Sequence, residues 1–526
     1  MAADTLSHAH HHPTANQWLV AFTVSMATFM EVLDTSIANV SLRHIAGNLG
    51  AGESESAWIL TSYLVSNAII LPISGWLSSV IGRKRFYMSC VALFTISSFC
   101  CGMAPSLGWL LFFRVLQGIG GGGLAPSEQS ILADTFSPED RGMAFAIYGV
   151  AVVFAPAIGP TLGGWITDNF DWRWIFFINI PVGILSLFMT SRLVHESAQA
   201  KKEHENVWRN GLNVDYIGFG LVALGLGSLQ VVLDKGQEDD WLGSHFIILF
   251  SILAAIGITA AIFWELFFAR DPMVDLPLLK NWSFASTNAL MFIMGFILNS
   301  TTVLIPQFVQ QIMGYNATNA GMILMPGGFV LMCVFPIAGM LSRYVQPKYM
   351  MLAGLLITAG AMYHLTTFDT QVSFSYMAWA RVYQCVGLPL FFLSLNNLAY
   401  GNLPPGKSNN ASALLNLWRN LGGSVGISLA VTLLERRAQL HQDRLVSNIT
   451  PYSPGFIQKL HSVGITNPFK IDPAYMMQVY AEVQKQAEML SYLDVFKIMT
   501  YGCAVVLVLV LALPKVKLGK RAAGGH

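Results

Sequence analysis

Long apolar segments recur along this chain, and their length is the feature that most restricts how it can fold. We count fourteen of them, each of about 20 residues, the length that crosses the hydrocarbon core of a bilayer as a helix. Charged residues make up 11% of the 526 residues, less than half of the about 25% that is usual in a soluble domain. Backbone groups inside a bilayer must be satisfied within the segment, which favours helices. The sequence therefore predicts an all-α, polytopic membrane protein with fourteen spans.

Basic residues indicate the orientation of these spans. An even number of spans places both termini on one side of the membrane. Alternate loops, beginning with the second, hold most of the lysine and arginine, including Arg83, Lys84 and Arg85. The short loops on the other side hold only Arg43, Arg173, Lys235 and Arg381. The positive-inside rule then places both termini in the cytoplasm.

By counting, fourteen spans can divide as six, two and six, with an inserted pair between two bundles, and the resemblance described below implies the same division. We expect, in order, a cytoplasmic tail, a bundle, a cytoplasmic loop, the inserted pair, a second bundle and a cytoplasmic tail, at residues 1–17, 18–192, 193–213, 214–268, 269–513 and 514–526. The second bundle includes a periplasmic loop, 435–492, which is either a structured cap or a docking surface for a partner. No strong internal repeat is visible. In membrane proteins built from two such bundles, a binding site lies near the bilayer midplane, between the halves.

Two acids, Glu31 and Asp34, lie inside the first apolar segment. A charge at membrane depth costs at least ~2.5 to 3.5 kcal/mol, so each acid needs a partner, a proton or a water-filled cavity. At about 1.5 Å per residue, Arg114 in the fourth segment lies at the depth of Asp34. Their pairing would suit proton exchange, because Arg keeps its charge while the acid gains and loses a proton. The alternative is an ion pair that only helps helices to pack.

Other residues are candidates for a cavity or for conformational change. Glu128 is either a third acid on the route or a boundary residue that reaches water. Arg419 either snorkels to the interface or contacts substrate. The fifth apolar segment should bend and pack tightly, since prolines and glycines interrupt it at Pro156, Gly159, Pro160, Gly163 and Gly164. Further possible cavity residues are Gln117 and Asn416.

Enzyme-like patterns in the sequence lie in the wrong setting. GNLPPGKS, 401–408, fits a phosphate-binding loop but connects two membrane segments, and Pro404 and Pro405 remove backbone donors. GGSVG, 422–426, lies inside an apolar segment and suits helix packing. Neither a metal-ligand spacing nor a basic stripe for nucleic acid is visible. We therefore expect no enzymatic activity and no cofactor.

Several motifs together resemble the major facilitator superfamily, and within it the fourteen-helix drug:proton antiporters of the EmrB/QacA type. They are LDTSIANVSL (33–42), GWLSSVIGRKR (75–85), LLFFRVLQGIGGG (110–122), GPTLGGWI (159–166) and WRWIFFINIPVG (172–183). One departure concerns the second motif, in which Ser79 and Val80 replace the usual acidic and basic residues. The charged pair of the usual motif is therefore absent at this position.

The resemblance implies export of hydrophobic, drug-like compounds in exchange for protons, with the proton gradient as energy source. It implies that Asp34 and Arg114, with Glu31 as an additional acid, carry proton coupling. Gly75, Gly82 and Arg83 would act in gating, and the fifth helix in the conformational exchange. It also implies a bacterial inner membrane, a periplasmic adaptor and an outer-membrane channel. Two alternatives are an exporter of one endogenous metabolite or siderophore, and a membrane receptor or scaffold without transport.

Overall fold

The described part of the chain is entirely helical. In this computed structural model, residues 16–209, 214–269, 272–401, 403, 407–462, 465, 467 and 471–512 are described. The histidine-rich start, the C-terminal tail and residues 404–406 of the GNLPPGKS turn lie outside these ranges. The described residues form eighteen α-helices and two 3-10 turns: α1 Gln17–Leu49, α2 Glu53–Ile81, α3 Arg83–Gly102, α4 Leu107–Gly121, α5 Leu124–Thr135, α6 Arg141–Asn169, α7 Trp174–Phe177, α8 Asn179–Leu193, α9 Ala198–Arg209, α10 Tyr216–Lys235, α11 His245–Phe267, α12 Trp282–Gln311, α13 Ala317–Leu341, α14 Pro347–Leu365, α15 Phe374–Gly401, α16 Ser408–Val446, α17 Pro454–Ser462 and α18 Pro473–Ala512, with the turns at Trp241–Gly243 and Leu276–Lys280.

Most of the long helices are apolar enough to cross a membrane. Within the described ranges, 12 spans meet both length and hydropathy requirements, with α4 and α5 forming one span and α7 and α8 another. The helices α14 and α16 fall outside that set. Both are long and pack within the bundle, α14 against α15 and α18, and α16 against α12 and α18. Fourteen spans therefore fit this architecture.

Both described chain ends lie at the same end of the bundle, which we call the Arg83 end. The ring centroid of Trp18 in α1 is 4.9 Å from that of Phe136, which follows α5. At the other terminus, Lys348 Nζ donates to the carbonyl oxygen of Leu511 over 2.7 Å. This placement agrees with an even number of spans.

Two sets of helices meet along the interior. We call α1–α8 the N-terminal helices and α12–α18 the C-terminal helices. Extensive contacts between the sets run along α6 with α13 and α2 with α16. Within the C-terminal helices, a Cβ on Gly422 or Gly295 would collide with the backbone of the facing helix, so glycine permits the close approach of α12 and α16.

The inserted pair, α10 and α11, contacts both sets of helices. The two helices cross where Gly225 faces Gly257. Asp234 on α10 accepts a hydrogen bond from Thr61 on α2. Gln230 accepts one from Ser424 on α16 over 3.0 Å. The pair therefore packs beside the line where α2 meets α16.

Three regions differ in detail from the sequence-based expectations. The segment 193–213, expected as a loop, contains the helix α9. Arg381, expected in a short loop, lies within α15 and is 1% exposed. In the region 435–492, α16 continues to Val446, α17 follows, and α18 begins at Pro473. The part of this region that precedes the last span is helical, because it belongs to α18.

Candidate functional site

Asp34 and Arg114 form a buried ion pair. Arg114 Nη1 lies 2.6 Å from Asp34 Oδ2. Asp34 is 2% exposed and Arg114 is fully buried. The structure therefore brings together the acid of α1 and the cation of α4 that the sequence placed at one depth. Separating two such charges in an apolar interior is costly, so the pair joins α1 firmly to α4.

Amides complete the surroundings of the Asp34 carboxylate. Asp34 Oδ1 accepts from Gln117 Nε2 at 3.0 Å and from Asn179 Nδ2 at 2.6 Å. Gln117 and Asn179 also donate to Ser98 Oγ, which links α3 to the same network. Gln117, expected in a substrate cavity, is instead fully buried within this network. Asn179 and Ser98 were not identified from the sequence, where each is one polar residue in an apolar segment.

Arg114 has further acceptors besides Asp34. Its Nη1 donates to Gln117 Oε1 at 2.7 Å, and its Nε donates to the carbonyl oxygen of Ile59 at 3.1 Å. The guanidinium also lies over the ring of Tyr63, 4.5 Å from the centroid, an attractive cation–π contact. Arg114 therefore keeps hydrogen-bond acceptors when the Asp34 carboxylate becomes protonated.

Glu31, one turn from Asp34, contacts a different helix. Tyr63 Oη and Asn67 Nδ2 on α2 each donate to Glu31 Oε1 at 3.1 Å. Glu31 is half-buried, unlike Asp34. The two acids of α1 therefore belong to separate networks, and Glu31 is the more accessible.

Glu128 is a buried residue and not a boundary residue. It is fully buried and accepts hydrogen bonds from Ser25 Oγ, at 2.6 Å, and from Thr28 Oγ1. The expectation that it reaches water at the interface is wrong, because α5 turns this side chain onto the inner face of α1. A third acid therefore lies along α1, on the Arg83 side of Glu31.

Two residues of α16 contact the N-terminal helices. Arg419 Nη1 donates to Tyr148 Oη on α6 at 2.8 Å, and Asn416 Nδ2 donates to Gln129 Oε1 on α5 at 2.8 Å. Arg419 is 9% exposed, so the expectation that it snorkels to the interface is wrong. Arg419 therefore supplies a cation between the two sets of helices.

Hydrogen bonds close the Arg83 end between the two sets of helices. Arg83 pairs with Asp134, and Ser408 of α16 bonds to both residues. Ser130 Oγ donates to Asn409 Oδ1 at 2.5 Å. A Cβ on Gly75 would lie 3.0 Å from the Cα of Asn410, so α2 and α16 touch there through glycine.

The turn between α2 and α3 is shaped by a glycine. Gly82 has a φ of 92°, a left-handed conformation that glycine adopts without strain. This conformation lets α3 begin at Arg83, directly after α2 ends. Gly82 thereby positions the Arg83 side chain beside Asp134.

Helix α9 covers the turn between α2 and α3 and supplies polar groups there. His204 Nδ1 lies 3.2 Å from the carbonyl oxygen of Ser79, and Trp208 Nε1 donates to that of Val80 at 3.1 Å. Glu203 lies 4.0 Å from Arg83. Burial raises the pKa of Glu203 from 4.5 to about 7, although Arg83 opposes this shift. An acid from α9 thus stands near Arg83, where Ser79 provides none.

Helix α6 packs closely on α1 through its glycines. A Cβ on Gly159 would collide with Ser36, and one on Gly163 would lie 3.0 Å from the side chain of Ile37. Gly164 is buried beside them. The helix is continuous from Arg141 to Asn169 although it contains Pro156 and Pro160.

The sequence-based analysis missed a second arginine site. Arg381 and Gln384 on α15 repeat the spacing of Arg114 and Gln117 on α4, and the sequences RVLQ and RVYQ carry that signal. Arg381 Nη1 donates to Gln384 Oε1 at 2.6 Å, and Gln384 Nε2 donates to Thr301 Oγ1 at 2.7 Å. Both residues are buried.

The fold and the site together define a class of protein. Charged and polar side chains lie inside a polytopic helical bundle whose two sets of helices meet by hydrogen bonds at one end. Intramembrane ionisable residues of this kind mark transport routes. The protein is a multi-pass membrane transporter.

The chain belongs to the Major Facilitator Superfamily, whose model matches residues 24–427. It is 35% identical over 460 residues to "Multidrug export protein EmrB" of Escherichia coli K12, covering 86% of this chain and 88% of that protein. It is 37% identical to a protein of the same name from Haemophilus influenzae, covering 85% and 87%. It is 38% identical to "Fatty acid resistance protein FarB" of Neisseria gonorrhoeae, covering 82% and 84%.

Solved structures support the same fold. The proton:xylose symporter XylE aligns with a TM-score of 0.61 at 14% identity, covering 95% of this chain and 96% of that one. The human organic anion transporter MFSD10 aligns with a TM-score of 0.59 at 13% identity, covering 93% and 99%. At these identities the comparison concerns the fold alone.

Proposed function

We propose that this protein is a proton-coupled antiporter that exports hydrophobic and amphipathic drug-like compounds. The observation that carries the proposal is the buried pair of Asp34 and Arg114, held by Gln117 and Asn179. The multidrug export proteins to which the chain is similar support the substrate class. The energy source is the proton gradient.

The Asp34 network suits reversible protonation. The carboxylate accepts from three donors, on Arg114, Gln117 and Asn179. A proton that binds Asp34 neutralises the carboxylate and removes the charge assistance from its bond with Arg114. Arg114 still donates to Gln117 Oε1 and to the carbonyl oxygen of Ile59. The cation therefore keeps two hydrogen bonds while the attraction between α1 and α4 weakens, which couples protonation to helix movement.

Glu31 and Glu128 lie between this pair and the Arg83 end. Glu31 is half-buried and faces α2, while Glu128 is fully buried and is held by Ser25 and Thr28. Arg419 approaches from the C-terminal helices, where it donates to Tyr148. We assign Glu31 to binding of substrate or of a second proton, and the region around Asn416 and Arg419 to the substrate cavity.

The Arg83 end is assigned to the cytoplasm, with both termini in that compartment. Basic residues concentrated there support this orientation. Arg83, Asp134 and Ser408 then form the cytoplasmic gate, with Gly75 and Gly82 permitting its close contacts. Helix α6, with Pro156, Gly159, Pro160, Gly163 and Gly164, moves against α1 and α13 during the exchange.

The protein is placed in a bacterial inner membrane, where it delivers substrate to a periplasmic adaptor and an outer-membrane channel. The relatives from Gram-negative bacteria support this placement. The domain organisation is six, two and six spans, with 18–192 and 269–513 as the bundles and 214–268 as the inserted pair. An exporter of one endogenous metabolite or siderophore remains the alternative function on the same fold.

The test is proton movement in liposomes that contain the purified chain and a pH dye. Addition of a lipophilic compound should release protons in wild type, and Asp34→Asn should abolish that signal while the protein stays folded. Asp168→Asn serves as the matched control, because the Asp168 side chain is 57% exposed and lies near the C-terminal end of α6. Normal export by Asp34→Asn would exclude Asp34 from coupling. A response to one metabolite alone would favour the narrow exporter.

A further inference from the structure

A buried arginine in the C-terminal helices has no acidic partner. Arg381 on α15 is 1% exposed, and none of the ion pairs between described residues includes it. An arginine side chain keeps its charge in proteins. A buried charge without a counter-charge is costly, so such a residue inside a membrane marks a candidate functional site.

The neighbours of Arg381 are neutral oxygen acceptors. Its Nη1 and Nη2 donate to Thr301 Oγ1 and Thr302 Oγ1, both at 3.3 Å. These hydrogen bonds are long, whereas charge-assisted bonds to a carboxylate measure about 2.7–2.9 Å. The Nε atom of Arg381 is buried without a partner among the described residues. The guanidinium therefore has donor capacity that an anionic group would use better.

The threonines can release Arg381 at little cost. Thr301 Oγ1 donates to the carbonyl oxygen of Ile297 at 2.9 Å, and Thr302 Oγ1 donates to that of Leu298 at 2.7 Å. Each hydroxyl group therefore stays hydrogen-bonded to its own helix when the guanidinium turns to another acceptor. Gln384, which bonds to Thr301 as well as Arg381, can hold the site together in both cases.

Polar side chains recur along α12 between the Arg381 site and the end of the helix opposite the Arg83 end. Thr302 and Gln307 are half-buried, and Gln310 at the end of the helix is exposed. Gln307 Oε1 is buried without a partner among the described residues. Polar side chains of this kind face protein or water in a bilayer and not lipid. A ligand group could therefore reach Arg381 from the compartment beyond Gln310 or leave toward it.

We propose that Arg381, Gln384, Thr301 and Thr302 bind the anionic group of amphipathic organic acids, which the transporter carries as substrates. This inference rests on the proposed export function and specifies a substrate class for it. Arg381 is the counterpart of Arg114, whose anion is built into the chain as Asp34. Where the Arg114 site has the Asp34 carboxylate, the Arg381 site has only the hydroxyl group of Thr301. The carboxylate, phenolate or sulfonate of the substrate therefore takes the role at Arg381 that the Asp34 carboxylate has at Arg114.

Three fluorescent probes that differ in charge test the proposal in proteoliposomes. Dansylglycine is a carboxylate, its methyl ester is neutral, and dansylcadaverine is a cation. Arg381→Gln should weaken binding and transport of dansylglycine by about tenfold or more, the loss expected for a charge-assisted bond. The ester and the cation should change less than about twofold. Arg381→Lys should retain part of the dansylglycine activity, because it keeps the charge.

A second variant fills the site from within the chain. Thr301→Asp places a carboxylate beside Arg381, as Asp34 stands beside Arg114, and should block dansylglycine but not dansylcadaverine. Thr301→Asn has nearly the same size without the charge, and it should reduce dansylglycine transport much less than Thr301→Asp does. These paired variants separate an electrostatic effect from loss of folding.

The outcomes distinguish this inference from the proposed function. An equal loss of all three probes in Arg381→Gln would assign Arg381 a structural role and overturn the inference. If the site binds chloride but does not bind dansylglycine, it is a site for an inorganic anion, and this result would also overturn the inference. Asp34→Asn should instead abolish proton movement with every probe. If proton-driven export of dansylcadaverine persists while dansylglycine is never bound, export stands and the inference fails.

Discussion

The N-terminal and the C-terminal helices carry the same pair of side chains with different partners. Arg114 with Gln117, and Arg381 with Gln384, occupy buried positions at the same spacing. In the N-terminal helices an aspartate completes the site, whereas in the C-terminal helices a threonine does. The difference teaches that the two sets of helices can have different functions although they carry similar side chains. The N-terminal helices contain their own titratable anion, Asp34, whereas Arg381 in the C-terminal helices is available to an anion of the substrate.

The first way to break this comparison is to make the N-terminal site resemble the C-terminal one. Asp34→Thr removes the titratable group and leaves Arg114 among neutral partners. Drug-stimulated proton movement should fall at least about 100-fold, the scale of losing a positioned proton acceptor. The pH dye in proteoliposomes measures it, and size-exclusion chromatography verifies that the variant is folded. Persistent coupled transport would show that another acid carries the proton.

The second test compares the stability cost of removing each arginine. Arg114→Gln leaves the buried Asp34 without its partner and should cost about 3–5 kcal/mol. Arg381→Gln leaves only neutral groups and should cost about 1–2 kcal/mol. Thermal unfolding of the purified proteins in one detergent gives the ranking. The double variant Asp34→Asn with Arg114→Gln should recover part of the loss, and equal costs for both arginines would contradict the asymmetry.

A third prediction concerns a feature that the two sets of helices share. The motifs GWLS at 75–78 and GMLS at 339–342 both begin with a glycine that touches the opposite set. A Cβ on Gly339 would lie 3.1 Å from the Cα of Met143. Gly75→Leu and Gly339→Leu should each slow transport about tenfold, because the Arg83 end no longer closes. Gly360→Leu is the control, since Gly360 has open space. If only one of Gly75→Leu and Gly339→Leu slows transport, the two sets of helices contribute unequally to closure of the Arg83 end.

The smallest expected effect concerns α9, which covers the Arg83 turn on the N-terminal side. Because the pKa of Glu203 is raised from 4.5 to about 7, the docked helix binds a proton more tightly than the free helix. Docking is therefore strongest below pH 4.5 and weakens as the pH rises through about 7. Hydrogen exchange in Ala198–Arg209, corrected for intrinsic rates, should increase between these limits.

Glu203→Gln should reduce the pH dependence of hydrogen exchange in α9 by about half or more, since glutamine stays neutral at every pH. Glu205→Gln is the matched control, because Glu205 is exposed on the same helix. Identical pH profiles in wild type and Glu203→Gln would exclude Glu203 as the group responsible.

The sequence predicted the helical class and the depth of Asp34 and Arg114, because apolar length and a constant rise per residue determine both. It did not predict the roles of single polar residues. Asn179 and Ser98 each look like isolated polar residues until three helices bring them to Asp34. The partner of a side chain depends on helix rotation, which an apolar segment with several polar residues leaves open.

The two wrong expectations for Glu128 and Arg419 share one cause. Both lie toward the Arg83 end of their helices, so distance along the helix suggested contact with the interface. The structure turns both toward the interior, where Ser25 and Tyr148 bond to them. Arg381 shows the converse error, since its position near the start of an apolar segment suggested a loop. The depth of a residue in the membrane can be predicted from the sequence. The direction in which its side chain points around the helix can be known only when the neighbouring helices are placed.

The length of α18 has a mechanical consequence. Its 40 residues extend about 60 Å, about twice the hydrocarbon thickness of a bilayer. Helix α16 accompanies it, with His441 Nε2 2.9 Å from Asp494 Oδ2 and Gln442 Nε2 3.3 Å from Tyr480 Oη. About 30 Å of α18 is therefore left over beyond one crossing of a bilayer. A rotation of the C-terminal helices by about 15° would sweep the end of an extension of this length through about 8 Å. Any such rotation would therefore be largest at the end of α18 that begins at Pro473.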